Sequence, residues 1–277
     1  MRKNAGMETF DDKTVVVTGA ASGIGRGIAV RFAAAGAKVV ACDVDATGLD
    51  ETALAVREVG CSVDLEILDV RDEDAYNALA SRVTADVLCL NAGVFRGGLI
   101  WESPRSDWDW VMSVNLHGVL NGLRAFVPGM IQRGAPAHIE ITASMAGLIA
   151  TGMSGIYTAS KFAALAVAES LARDLQSVAA PIGVSVLCPS AVNTGIGSSQ
   201  RNREEAVSND AGAEAIEKIL TDFCAAGLDP MDVGQMVVDA IRSDQFLVPT
   251  KDTFAEFIRV RSEALQRKEL PPFQMFD

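Results

Sequence analysis

Tyr157 and Lys161 stand four residues apart, a spacing that puts both side chains on one face of a helix. A free tyrosine titrates near pH 10 and is a poor base at neutrality. An ammonium about 4 Å away contributes on the order of 4 kcal/mol at an effective dielectric near 20, which is up to roughly three pKa units. Such a shift brings a phenol into the range where it can exchange protons with a reacting hydroxyl. Ser144 lies thirteen residues before Tyr157 and just past an apolar run, where its hydroxyl can hold a substrate oxygen. Asn115 is a polar amide between Val114 and Leu116, inside a helical stretch. Taken alone, a Tyr/Lys pair at this spacing also fits an ordinary surface helix. Its weight comes from what accompanies it.

The companion is a glycine turn, Thr18-Gly19-Ala20-Ala21-Ser22-Gly23-Ile24-Gly25, between an expected strand and an expected helix. Glycines there let the backbone approach a pyrophosphate, and the helix start offers N–H donors and the positive end of its dipole. The spacing is G-x-x-x-G-x-G, and no G-x-x-x-x-G-K-[ST] occurs, which disfavours a P-loop nucleotide hydrolase. Asp43 ends the second strand, eighteen residues after Gly25. A carboxylate there can accept both hydroxyls of an adenosine ribose and would repel a 2′-phosphate. Neither Ser22 nor Val44 supplies a compensating cation, so the cofactor expected is NAD. Asp69, with the backbone of Val70, is placed to meet the adenine edge. The alternative for Asp69 is an acid near a helix N-cap.

These groups need a scaffold, and the hydropathy pattern provides one. Strands are expected at Thr14 to Thr18, Lys38 to Asp43, Ser62 to Leu68, Asp86 to Leu90, Ala137 to Thr142, Ile182 to Cys188 and Phe246 to Val248. Helical periods lie between them, at Gly23 to Ala35, Thr47 to Val59, Glu73 to Val83, Ser106 to Arg133 (with a kink at Pro128), Ile156 to Val178 and Asp252 to Arg267. This alternation predicts an α/β fold: a single doubly wound, Rossmann-type domain over 13–277, its parallel seven-stranded sheet carrying helices on both faces. Residues 1–12 read as a flexible arm. Residues 195–229 begin Gly/Ser-rich, continue as a helical period over Ala211 to Ala226, and follow a strand's carboxyl end, so they are expected to form a substrate lid. The helix from Ile156 is apolar nearly all round (Ala163, Ala164, Leu165, Ala166, Val167, Ala168, Leu171, Ala172), which points to burial against a second copy and a homo-oligomer, tetramer or dimer.

Composition removes other classes. With 24 basic and 36 acidic residues the net charge is −12, a poor match for nucleic acid or an anionic membrane surface. No run approaches the roughly 18 apolar residues of a membrane span. The five cysteines form no C-x-x-C and read as reduced thiols of a cytoplasmic protein, and two distant histidines make a metal site or a histidine triad hard to build, so no metal is expected.

From Lys13 to Val248 the chain resembles the short-chain dehydrogenase/reductase family. The resemblance rests on Gly19, Gly23 and Gly25, on Asn91-Ala92-Gly93, and on Asn115, Ser144, Tyr157 and Lys161. It implies Tyr157 as acid/base, Lys161 as its pKa-lowering partner and ribose ligand, Ser144 as substrate orienter and Asn115 as holder of a relay water. Ser22, Ile24, Pro189, Val192 and Thr194 join the implied cofactor contacts. Two departures stand out: Leu90 precedes Asn91 where the family usually has a second asparagine, and Pro189 is followed by Ser190 where it usually has glycine.

Phe95, Met145, Leu148, Met153 and Ile156 are the expected apolar pocket walls, suited to a bulky hydrophobic secondary alcohol or ketone. The lid and the stretch after it also look similar to dehydrogenases of lignin-derived benzylic alcohols, while steroids and terpenoids fit the walls as well. The rival readings are a non-enzymatic NAD-binding sensor or scaffold on the same fold, and a serine hydrolase, for which G-x-S-x-G is missing.

Overall fold

The computed structural model describes residues 7–203 and 211–272. Seven parallel strands form one sheet in the order β3-β2-β1-β4-β5-β6-β7. They are β1 (Thr14–Thr18), β2 (Lys38–Asp43), β3 (Val63–Ile67), β4 (Val87–Leu90), β5 (Ala137–Thr142), β6 (Ile182–Cys188) and β7 (Leu247–Pro249). The strand order reverses direction between β1 and β4, which opens a crevice at their carboxyl ends. Register places the critical residues there: Thr18 pairs with Cys42, Val17 with Cys89, and Thr142 with Leu187.

Helices cover both faces because the central strands are apolar on both, as β4, β5 and β6 show by being buried along their whole lengths. On one face, α1 (Gly23–Ala34), α2 (Ala46–Glu58) and α8 (Pro230–Arg242) pack over Val15, Val17 and Val39. On the other, α3 (Glu73–Arg82), α5 (Gly118–Arg133) and α6 (Gly155–Ser177) pack over Val16, Leu88 and Ile139. The remaining helices are α4 (Arg105–Met112), α7 (Ala211–Ala225) and α9 (Phe254–Gln266). Among the described residues, no helix is long and apolar enough to cross a membrane.

Several expectations change. Helix α8 was not among the predicted elements, yet it backs α1 so closely that a Cβ on Gly27 would stand 2.1 Å from the Pro230 carbonyl oxygen. The expected helix from Ser106 to Arg133 is α4 and α5 joined by a π-helical turn, Ser113–His117, and α5 runs through Pro128 as one element. The expected arm is anchored: Met7 and Phe10 are buried, and Phe10 meets Phe32 edge-on at 4.9 Å. Its first six residues lie outside the described ones. Within residues 195–229, expected as a lid, a 3₁₀ stretch, Ile196–Asn202, precedes α7, and residues 204–210 lie outside the described residues. In α6, Ala164, Ala168 and Leu175 are buried, whereas Ala163, Leu165, Val167 and Leu171 are half-buried.

Candidate active site

The turn after β1 owes its shape to glycine. Gly19 and Gly23 adopt φ of 68° and 52°, a region that a side chain disfavours. Thr18 and Asn91 tie this turn to the end of β4. The Thr18 hydroxyl accepts from the amides of Asn91 (3.0 Å) and Ala92 (3.2 Å), and Asn91 Nδ2 donates to the carbonyls of Thr18 (3.0 Å) and Gly19 (3.4 Å). Gly93 keeps the wall thin, since a Cβ there would lie 3.3 Å from Lys161 Nζ.

A cavity of about 510 Å³ opens over this turn. Gly19, Ser22, Gly23, Ile24, Asp43, Asp69, Val70, Asn91, Ala92 and Gly93 line it. Ser144, Tyr157, Lys161, Pro189, Val192 and Thr194 line it as well, with Phe95, Met145 and Met153, and Gly23 and Gly93 lie directly against Thr194 and Lys161. Two expected residues stand behind the wall. A Cβ on Gly25 would fall 2.0 Å from the Gly19 carbonyl oxygen, so Gly25 shapes the turn from beneath. Asn115, in the π-helical turn, is buried; its Oδ1 accepts from the Val94 amide at 2.8 Å, and its Nδ2 donates to Val94 O and Ser160 Oγ, both at 2.9 Å. Leu148 and Ile156 are not walls. They pack into the core, Ile156 beside Trp110 and Val111.

At the cofactor end, Asp43 Oδ2 accepts from the Ala21 amide (3.0 Å) and Oδ1 from the Asp45 amide (3.1 Å), which leaves lone pairs for further donors. Asp69 is engaged by Arg71, whose guanidinium reaches it at 2.6 Å. Partial burial would raise the Asp69 carboxyl, but the Arg71 side chain and amide more than offset it and hold it below its ordinary value. Arg71 also lines the cavity.

At the catalytic end, burial works against the simple electrostatic expectation. It pushes the Tyr157 phenol up to about 12, opposed by the Ser144 hydroxyl, instead of letting the phenol fall toward neutrality. Burial also pulls the Lys161 ammonium down to about 8. Lys161 Nζ donates to the Thr142 carbonyl at 2.9 Å and lies 5.7 Å from the Tyr157 ring centroid. Ser144 Oγ accepts from the Ala146 amide, which fixes its hydroxyl at the end of β5. Phe95 packs edge-on against the Tyr157 ring at 5.1 Å.

Residues 195–229 supply walls that were not singled out in the sequence. Ile216, Leu220 and Phe223 of α7 enter the cavity, and Trp110 closes it from α4. The spacing of those α7 residues, four and three, is the helical signal that could have found them. Residues 195–229 join α4 and the β4–α4 loop through a buried ionic cluster. Asp107 accepts from Arg96 Nε (2.9 Å) and Arg203 Nη1 (2.6 Å), while Glu217 Oε1 accepts from Arg96 Nη1 and Gln200 Nε2, both at 2.9 Å. Arg203 also lies over the Trp110 ring at 5.2 Å.

A doubly wound sheet with a glycine turn, an acid after β2 and a Ser/Tyr/Lys group in one crevice defines a dinucleotide-dependent oxidoreductase. The chain belongs to the short-chain dehydrogenase family, whose model matches residues 13–205. It is 32% identical to a C alpha-dehydrogenase of Sphingobium sp. strain NBRC 103272 / SYK-6 over 88% of this chain and 82% of that protein. It is 42% identical to a 1-deoxy-11-beta-hydroxypentalenate dehydrogenase of Streptomyces exfoliatus, over 66% of this chain and 68% of that one. The solved structure of a short-chain dehydrogenase/reductase from Burkholderia phymatum in complex with NAD superposes with a TM-score of 0.93 at 35% identity, covering 98% of this chain and all of that one.

Proposed function

We propose that this protein is an NAD-dependent dehydrogenase/reductase interconverting a bulky hydrophobic secondary alcohol and its ketone, with Tyr157 as acid/base. The observation that carries the reading is the convergence of Ser144, Tyr157 and Lys161 with the Gly19–Gly23 turn and Asp43 on a single cavity.

The residues fit the cofactor. The side-chain-free turn leaves room for a pyrophosphate, and Asp43 presents a carboxylate to a ribose diol. A 2′-phosphate would meet that carboxylate, and the nearby cation, Arg71, is held by Asp69. NAD, when bound, supplies the two-electron acceptor. Ser144 holds the substrate oxygen, and Tyr157 takes the alcohol proton as a phenolate, a form that burial disfavours and that the positive charges of Lys161 and bound NAD would have to stabilise. The Lys161 ammonium offsets the cost of a buried phenolate and anchors the ribose. Asn115 braces the wall by bonding Val94 to Ser160, the latter three residues after Tyr157. Phe95, Met145, Met153, Ile216 and Phe223 favour an apolar substrate body. The half-buried apolar face of α6 supports a homo-oligomer, and five free thiols fit a cytoplasmic enzyme.

The test is a panel of benzylic, terpenoid and steroid secondary alcohols with NAD and with NADP, followed by absorbance of the reduced nicotinamide. Turnover of hydrophobic members with NAD is expected. NAD binding without turnover across the panel would favour the scaffold reading, and faster turnover with NADP would overturn the role given to Asp43.

A further inference from the structure

Strand β5 carries one acidic residue in its apolar interior. Glu140 is fully buried, and the proposed chemistry does not use it. Its Oε1 lies 2.9 Å from Thr142 Oγ1, and its Oε2 is buried with no hydrogen bond to a described residue. Thr142 Oγ1 is also 3.2 Å from Asn91 Oδ1. The Asn91 amide has a fixed orientation, because its Nδ2 donates to the carbonyls of Thr18 and Gly19. Its Oδ1 is therefore an acceptor.

A hydroxyl carries one hydrogen, so Thr142 can give a full two-centre hydrogen bond to only one of Asn91 and Glu140. Both contacts are full two-centre hydrogen bonds only when Glu140 brings its own proton. The chain then runs in one direction: Glu140 donates to Thr142, Thr142 to Asn91, and Asn91 to the glycine turn. A neutral acid also suits Oε2, which has no partner at hydrogen-bond distance, the Leu187 amide being the backbone donor that faces the carboxyl. An ionised carboxylate with a bare oxygen in this interior would be far more costly than an unpaired C=O. The surroundings agree. Cys89 on β4 and Ser185 on β6 are the register neighbours of Glu140, and the Ser185 hydroxyl is engaged by the Gln245 carbonyl and the His138 ring. Burial holds the Cys89 thiol well above its usual value and pushes Cys188 on β6 up to about 12, so both are neutral at pH 7. His138, two residues back on β5, is buried and held down to about 4. The Thr142 hydroxyl, the Lys161 ammonium on α6 and the Leu187 amide on β6 all act to lower the Glu140 carboxyl, and burial outweighs the three together, pushing it up to about 8.

We propose that Glu140 is a positioning residue, held as a neutral carboxylic acid whose proton orients Thr142 and, through it, Asn91 and the glycine turn. Its consequence for cofactor binding rests on the reading that this turn seats the dinucleotide.

The test uses the full-length protein with Glu140→Gln and Glu140→Val. Glutamine keeps a neutral donor toward Thr142, and valine removes it. The infrared difference between wild type and E140Q should show a protonated-carboxyl band at pH 7 that shifts in deuterium oxide. Folding of wild type binds a proton between the ordinary carboxyl value of 4.5 and about 8, so wild type should lose stability relative to E140Q as pH rises through that window. With NAD, E140Q should keep KM within about twofold, while E140V raises it about five- to tenfold with kcat little changed, the effect of roughly one lost hydrogen bond. Absence of the infrared band overturns the neutral acid, as does a KM for E140Q raised as far as that for E140V. A wild-type KM in E140V overturns the positioning role. Should E140V fail to fold, the band and the pH-dependent stability of E140Q still decide the neutral acid. Those two readouts need no cofactor, so failure of the wild type to bind NAD would instead overturn the reading of the site.

Discussion

Lys161 donates to the carbonyl oxygen of Thr142 at 2.9 Å, and this contact holds its ammonium 5.7 Å from the centre of the Tyr157 ring. The strand end thus sets the distance between the two groups that the proposed chemistry couples. A charge kept in this buried place is a burden on the fold. Burial lowers the Lys161 value to about 8 from an ordinary 10.5, so between those pH values the unfolded chain binds more protons than the folded one. Stability conferred at this position rises with pH through that window.

Lys161→Met should therefore be inactive and yet more stable than wild type at pH 7. After allowing for the lost hydrogen bond, the gain is about 2 kcal/mol. Denaturant titrations at several pH values check this. The gap should be widest below about 8 and close toward 10.5.

Asp43→Ala should weaken NAD binding by about ten- to a hundredfold, the range for hydrogen bonds to a charged group, and narrow the preference over NADP. Titration calorimetry with both dinucleotides measures it. Unchanged discrimination would mean that the acid after β2 does not read the ribose.

Gly25→Ala should cost stability as well as cofactor affinity, because its Cβ would lie 2.0 Å from the Gly19 carbonyl oxygen, a backbone atom that cannot rotate away. Overpacking of this kind costs about 1–3 kcal/mol, to be read from the denaturation midpoint. NAD affinity should fall with it, since the displaced atom belongs to the turn.

Asp107→Ala removes the carboxylate shared by Arg96 and Arg203. Breaking a buried pair costs about 3–5 kcal/mol. Because Trp110 and α7 wall the substrate end of the cavity, KM for the alcohol should rise more than KM for NAD. Steady-state kinetics with each substrate varied in turn separates the two.

The parallel sheet was legible because continuous apolar runs such as Thr14–Thr18 and Ile182–Cys188 are what strands buried on both faces require. The glycine turn was legible because its spacing and position relative to β1 and α1 leave little other use for it. Helix α8 was missed because no helical period was read in the stretch after residue 229, although Asp229 accepts from the Met231 amide at 2.7 Å as an N-cap. Leu148 and Ile156 were misplaced because an apolar residue near a catalytic group reads alike whether it faces the core or the cavity. Most instructive is Tyr157. Its spacing to Lys161 showed the pairing, but the direction of its shift depends on burial, and burial belongs to the assembled fold.

The most direct test of the central claim is turnover by Tyr157→Phe, with NAD and the best alcohol from the panel. The loss of one phenol oxygen should lower kcat by about three orders of magnitude or more, the scale of positioned acid–base catalysis, while NAD affinity stays within a few-fold of wild type. Turnover close to wild type would contradict the assignment of Tyr157 as the acid/base.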